Sequence, residues 1–258
     1  MSNIGTTDPG MNAARGLSEY TVVHKFGRNL SLTTSFLPVA IGGLYPTPQV
    51  AGATTVRIKA GGNANDTAAG TGAQKVLIQG LDETGAEVSE ELVTAGASAS
   101  AASENTYIRL YRAYVSESGT YASAAAGSHS ASITIENSAG SADWAIIDAT
   151  DFPLAQTEIA AYTVPLNKTA YVSGLDITLD TSKSVDVIFF QRVGLLETAA
   201  PYHGMRVIEY YHGVSTDLSD HPVSPYGPYV GGTDIGFMAK GATSPAVSVN
   251  FEIWLVDA

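Results

Sequence analysis

The chain contains no cysteine, which excludes a disulfide framework and any thiolate metal site and leaves packing and assembly as the sources of stability. Charge is scarce too: Asp, Glu, Lys and Arg make up 15% of the residues, against about a quarter in typical soluble proteins. Ser, Thr, Ala, Gly and Asn must cover the surface instead, and a surface of that kind suits packing against other protein. The few charges are lopsided, with Lys+Arg 13 against Asp+Glu 25 and a net charge of -12. That balance repels phosphate backbones and anionic lipid, so neither nucleic acid nor a membrane is an expected partner. Nowhere do ~18 apolar residues run together. Met1-Ser2-Asn3-Ile4-Gly5 has neither a basic start nor an apolar stretch, so no membrane span and no signal peptide are expected.

Catalytic signatures are missing as well. The chain has no Gly-x-Ser-x-Gly elbow, P-loop, dinucleotide fingerprint or His-Glu-x-x-His motif, so neither an enzyme activity nor a cofactor is expected. Two weaker patterns raise the question of metal. Asn63-Ala64-Asn65-Asp66-Thr67 carries oxygen ligands of the kind hard cations take, but with one carboxylate it reads as an exposed turn. His203, His212 and His221 are evenly separated yet match no zinc-ligand motif, so no metal site is expected there.

What the chain has in abundance is strands. Gly70 to Gly96 reads as a hairpin: Val76, Ile78 and Leu81 on one side and Val88 and Leu92 on the other stand at strand spacing, and Asp82-Glu83-Thr84-Gly85 has the acidic start and glycine end of a tight turn. Tyr20–Phe26, Thr54–Ala60, Thr106–Val115, Ser130–Asn137 and Trp144–Ile147 are further predicted strands, and a second series runs from Ala160 to Val256. Two Ala/Ser-rich stretches, Ala97–Ser103 and Tyr121–Ser130, read as loops that lie against a neighbour. The pattern predicts an all-β chain with two β-sandwich or jelly-roll-like domains: an extended N-terminal arm over residues 1–20, a β-sandwich or barrel-like domain over 21–150, and a jelly-roll-like sandwich over 151–258. The arm has too few apolar side chains to order by itself, and is expected to order on a partner.

Two groups of residues are singled out as candidate sites. If Val88 and Leu92 point inward, the period of two puts Glu90 on the same face, where a carboxylate needs a partner. Arg112, sharing a face with Ile108 and Leu110, is the predicted partner in a structural ion pair, with Arg109 as the alternative. Tyr202, Tyr210, Tyr211, Tyr226 and Tyr229 fall in a Tyr/His/Pro-rich stretch from Leu195 to Gly232 that reads as a contact surface, because tyrosine offers large amphipathic area at low entropic cost. Trp144 and Trp254 sit inside strand patterns and are expected in the core.

Several stretches resemble a family of virion structural proteins of tailed bacteriophages: His24–Asn29, Gly43–Pro46, Gly70–Ala73, Gly80–Asp82, Ser89-Glu90, Tyr107–Val115 with Gly119, Tyr162–Pro165, Lys168–Tyr171, and the ending from Thr233–Ile235 to Val256-Asp257. The similarity runs over nearly the whole chain. It implies a β-rich particle protein with no catalytic motif to carry over. The resemblance by itself covers capsid decoration and tail or head-tail components alike. Taken with the low charge, the missing catalytic motifs and the loose N-terminal arm, it gives the expectation of a capsid decoration (cement) protein bound to the outer surface of the major capsid protein lattice. A tail or head-tail associated module, either an adaptor or a receptor- or glycan-binding one, is the competing class. Low charge and the small-residue and tyrosine-rich stretches add the expectation of a homo-oligomer, with a trimer favoured.

Overall fold

The computed structural model describes residues 12, 16, 19–46, 52–121, 127–150, 154–179, 183–197 and 199–258. The expected arm lies outside the described residues but for Asn12, Gly16, Glu19 and Tyr20. The chain is all-β. Its strands are β1 Tyr20–Asn29, β2 Leu37–Pro38, β3 Val56–Ile58, β4 Ala73–Leu81, β5 Glu87–Val93, β6 Arg109–Ser118, β7 Ile133–Asn137, β8 Asp143–Ile147, β9 Ala161–Thr163, β10 Lys168–Leu179, β11 Val185–Arg192, β12 Arg206–Val214, β13 Leu218–Asp220, β14 Tyr226–Val230, β15 Asp234–Lys240 and β16 Val247–Asp257. A 3-10 turn, Ile41–Gly43, follows β2 in a segment that bears Pro38, Gly42, Gly43 and Pro46.

Among the described residues all strand pairings are antiparallel, and they make four sheets. Two are five-stranded: β1-β16-β10-β13 with β14 also on β10, and β12-β11-β15-β2 with β9 also on β15. Their inward side chains meet in one core, where Val172, Leu175, Phe251 and Ile253 of the first sheet face Val187, Phe189, Ile235 and Phe237 of the second. Phe189 and Phe237 stack there with ring centroids 4.8 Å apart. The other two sheets, β3-β7-β8 and β5-β4-β6, are three-stranded. They share a second core built from Val56, Ile58, Ile133, Ile135 and Trp144 against Val76, Ile78, Leu92 and Leu110.

The predicted hairpin is the β4–β5 pair, in register from Lys75↔Val93 to Leu81↔Glu87. Asp82 closes its turn by accepting from the Thr84 and Ala86 amides at 2.8 and 3.0 Å, and Gly85 takes the positive φ of 77° that the last turn position requires. The first strands of the chain join its last: β1 pairs along its length with β16, and β2 pairs with β15. Local alternation shows that a segment is a strand without showing which distant strand completes its hydrogen bonds.

The first Ala/Ser stretch lies against its own chain. The Val56 and Ile58 amides donate to Ser103 Oγ and Ser100 Oγ at 3.0 and 2.9 Å, and the Ser103 and Ser100 amides return bonds to the Val56 and Ile58 carbonyls at 2.8 and 3.0 Å. The small side chains let an irregular segment run along the open edge of β3 and satisfy it. Half of the second stretch, residues 122–126, lies outside the described residues.

Candidate functional site

The tyrosine-rich stretch is largely strand, and its five tyrosines do not form one surface. β14 runs beside β10, with Tyr229 opposite Ala170, and this drives the Tyr229 ring into the core against Phe189 at 6.2 Å. Tyr211 and Tyr226 both spend their hydroxyls on Asp220, at 2.9 and 2.8 Å, which ties β12 and β14 to β13. Tyr202 and Tyr210 remain well exposed.

Those two belong to a coherent exposed strip. β12 pairs with β11 on one side, and among the described residues no strand covers its other edge. Leu196, Tyr202 and Met205 in the β11–β12 connection and Val207 and Tyr210 on β12 are between 41 and 53% exposed. The connection is folded by His203, whose amide and ring both engage the Glu197 carboxylate. Tyr210 is held by its hydroxyl bond to Asp186 at 3.0 Å and by edge contact with Phe36 at 6.3 Å. Asp186 also accepts from the Gly213 amide at 2.9 Å. Burial alone would raise its pKa, but the bonds from Gly213, Tyr210 and Lys240 hold it below the usual carboxylate range. A fixed aromatic ring among exposed aliphatic side chains suits a protein contact. The strand's Arg206 and Glu209 and its two register shifts against β11 are devices that discourage indiscriminate edge pairing.

The three histidines stay apart, each with its own acid: His203 with Glu197, His212 with Asp186 at 2.7 Å, and His221 with Asp176 at 3.6 Å. Among the described residues no cluster of three or more ligating side chains forms. Asp66 in the Asn/Asp turn is buried rather than exposed, and its carboxylate accepts the amides of Ala73, Ser130 and Ala131 at 2.9, 2.9 and 3.1 Å.

The predicted Glu90–Arg112 pair does not form, and the reason is a β-bulge. Gln79 of β4 stands opposite Arg112 while Gly80 stands opposite Leu110, so Tyr111 is an extra residue in β6. Beyond it the alternation inverts. Ala113 takes the core side with Ile78 and Glu90, and Arg112 turns to the opposite face with Gln79 and Ser89, where it lies over the Tyr114 ring at 4.9 Å. Glu90 is half-buried and accepts instead from the Glu104 amide at 2.7 Å, the Asn105 amide at 2.9 Å and Asn105 Nδ2 at 3.0 Å.

Arg109, the alternative partner, is wholly buried and serves Asp234, a residue the sequence did not flag. Its Nε donates to Asp234 Oδ1 at 3.1 Å, a second bond runs from Nη2 to Oδ2, and Nη1 donates to the Pro46 carbonyl at 2.9 Å. Arg192 Nη2 reaches Asp234 Oδ2 at 3.0 Å, and Thr163 and Tyr45 donate hydroxyls to Oδ1, the latter at 3.2 Å. Arg192, Asp234 and Thr163 lie in one row across β11, β15 and β9. Burial by itself would raise the Asp234 pKa, but Arg109, then Thr163 and Arg192, hold it below the usual carboxylate range; burial, with Asp234 beside it, pushes the Tyr45 phenol up. With its donors and acceptors spent on one another, this centre joins the sheets of the two halves as a clamp.

No family model and no curated protein matches the chain. Among solved structures, the chain is similar at 8% identity to one of infectious bursal disease virus, Gt strain, covering 93% of this chain and 72% of that one with a TM-score of 0.24. Another, of T=1 particles derived from infectious bursal virus, has 9% identity, covers 93% of this chain and 79% of the other, and has a TM-score of 0.16. Values this low carry no argument about fold or function.

Proposed function

We propose that the protein is a non-enzymatic bacteriophage virion structural protein, a decoration protein that binds the outer surface of the major capsid protein lattice and stabilises the head. The observation that carries this reading is the exposed strip of Leu196, Tyr202, Met205, Val207 and Tyr210 along the edge of β12, in a chain whose charged fraction is 15%. A strip of this kind, rimmed by polar residues, is the signature of a protein contact surface. The family resemblance of the sequence supplies the kind of partner. We read the two pairs of sheets as two sandwiches carried side by side, and the assembled form as a trimer on the particle.

Particles stripped of the protein and then incubated with it decide the matter. Many copies distributed over the head, lost on Val207→Lys with Tyr210→Lys, are expected. Copies confined to one vertex would replace decoration with a tail or head-tail role. Sedimentation that finds only monomers, on and off particles, would end the trimer.

A further inference from the structure

Where the edge of β1 meets the sheet of β4 to β6, a cleft opens between the two halves. Lys25 stands opposite Phe251, so its side chain leaves β1 on the core side of the sheet and crosses to the other half, where its ammonium donates to the Tyr111 carbonyl at 2.6 Å. Glu252 and Trp254 belong to the outer face of that sheet and take no part. Trp254, expected in the core, is half-buried there against Tyr20 with ring centroids 5.4 Å apart, its indole N–H held by Glu252 at 2.8 Å.

Lys25 is 8% exposed, and its other contact is with the Tyr111 ring, 5.8 Å from the centroid. One bond to a carbonyl leaves two ammonium N–H groups without an acceptor. Arg112, the next residue of β6, lines the same cleft and rests its guanidinium on the Tyr114 ring rather than on an acid. The ionisable groups of the surrounding strands are turned elsewhere: Glu87 of β5 takes the Tyr111 hydroxyl at 3.1 Å, Tyr162 of β9 packs on the Tyr111 ring, and His24 and Glu252 face each other on the outer surface at 3.7 Å. Burial, and then the Arg112 charge, lowers the Lys25 pKa to about 7. Two cations, one from each half, thus flank a gap to which the described residues bring no carboxylate. Folding gains nothing from an ammonium buried without a counterion.

We propose that this cleft takes up a small monocarboxylate, with the carboxylate seated between the Lys25 ammonium and the Arg112 guanidinium. Lys25 supplies a point charge with two spare N–H donors, and Arg112 supplies the planar fork that matches two carboxylate oxygens and that a single-atom anion such as chloride cannot use in full. The side-chain amides of Gln79 and Gln156 line the wall beside them as further donors. Glu252 and Asp176 at the outer border penalise each added negative charge, which favours a monoanion over phosphate. This inference does not depend on the assembly role proposed above.

Lysine-labelled NMR of the full chain, with the Lys25 signal assigned from Lys25→Met, tests it with acetate, chloride and inorganic phosphate at equal ionic strength. At pH 6 acetate is expected to move the Lys25 signal saturably, roughly tenfold more tightly than the other two anions. It should also raise the Lys25 pKa by about one unit, because a counterion favours the ammonium, and its binding should weaken as pH rises through about 7. Arg112→Gln, at an exposed position, should weaken acetate binding roughly tenfold with the backbone amide spectrum unchanged. No saturable shift, or a Lys25 pKa that acetate leaves in place, would overturn the site. Chloride or phosphate bound as tightly as acetate, or an acetate affinity unmoved in Arg112→Gln, would overturn the carboxylate assignment. A Lys25 pKa that falls on dilution of the protein without acetate would overturn the small ligand in favour of an acidic side chain from a second copy.

Discussion

Arg109 and Lys25 are both buried cations, and the contrast between them separates what holds this protein together from what it leaves available. Arg109 meets Asp234 through two guanidinium nitrogens, and Arg192, Thr163 and Tyr45 complete the carboxylate's shell. Lys25 meets one carbonyl and the ring of the same tyrosine. A buried charge with a full set of partners is fixed by the fold; one with donors left over is a cost that something else must offset. The first marks a joint between the two halves and the second a cleft between them.

The sharpest way to break the contrast is to take the partner from Arg109. Asp234→Ala leaves two arginines facing an empty place, and chemical denaturation should show a loss of about 3–5 kcal/mol. A loss below 1 kcal/mol would mean that water enters the joint and that the pair is no clamp. Removing the other charge should act in the opposite direction. Lys25 has a folded pKa lowered to about 7 from 10.5. The unfolded chain therefore holds the proton between those values while the folded one does not, so stability should rise with pH across that window, with the full penalty present below pH 7. Lys25→Met should flatten that rise and should stabilise the protein at pH 6 by roughly 1–3 kcal/mol, the lost carbonyl bond offsetting part of the gain. Equal stability slopes in the two proteins would show that Lys25 is hydrated.

Smaller effects sharpen the picture. Glu90→Gln keeps the shape but sets an NH₂ group against amide donors, and should cost about 1–2 kcal/mol rather than the larger penalty of a stranded arginine. Arg112→Gln, on the far side of the same sheet, should change stability by no more than ~0.5 kcal/mol. A loss at Arg112 matching that at Glu90 would restore the ion pair that the bulge denies. Val207→Lys, at an exposed position, should likewise change stability by only a few tenths of a kcal/mol, and adding Tyr210→Lys by no more than about 1 kcal/mol for the lost bond to Asp186, while the pair should abolish attachment to particles.

The sequence made the strands legible because alternation and turn chemistry are local. The hairpin is found where Val76, Ile78, Leu92 and the Asp82–Gly85 turn place it. What escaped was anything decided at a distance. One extra residue at Tyr111 inverts the faces of β6, and no local signal distinguishes that bulge from regular alternation. Arg109 and Asp234 are 125 positions apart, and each in isolation reads as an ordinary strand charge. Tyr229 looked like its exposed neighbours until β14 was seen to lie on β10. Lys25 left a faint trace: a lysine between Val23 and Gly27 in an edge strand whose alternation turns it inward.

The pairing of β1 with β16 has a consequence in time. Tyr20 finds Val256 and Asn29 finds Val247, so β16 enters between β1 and β10 only after nearly all the intervening chain has been made. During synthesis β1 and β10 wait without the strand that joins them, while β3 to β8, whose partners are close in sequence, can already close their own core. The half containing the exposed β12 strip therefore matures last. A ribosome-bound chain should gain protease resistance over strands β3 to β8 well before the two five-stranded sheets do. The sheet that carries the β12 strip thus gains its full core partner only once β16 has emerged.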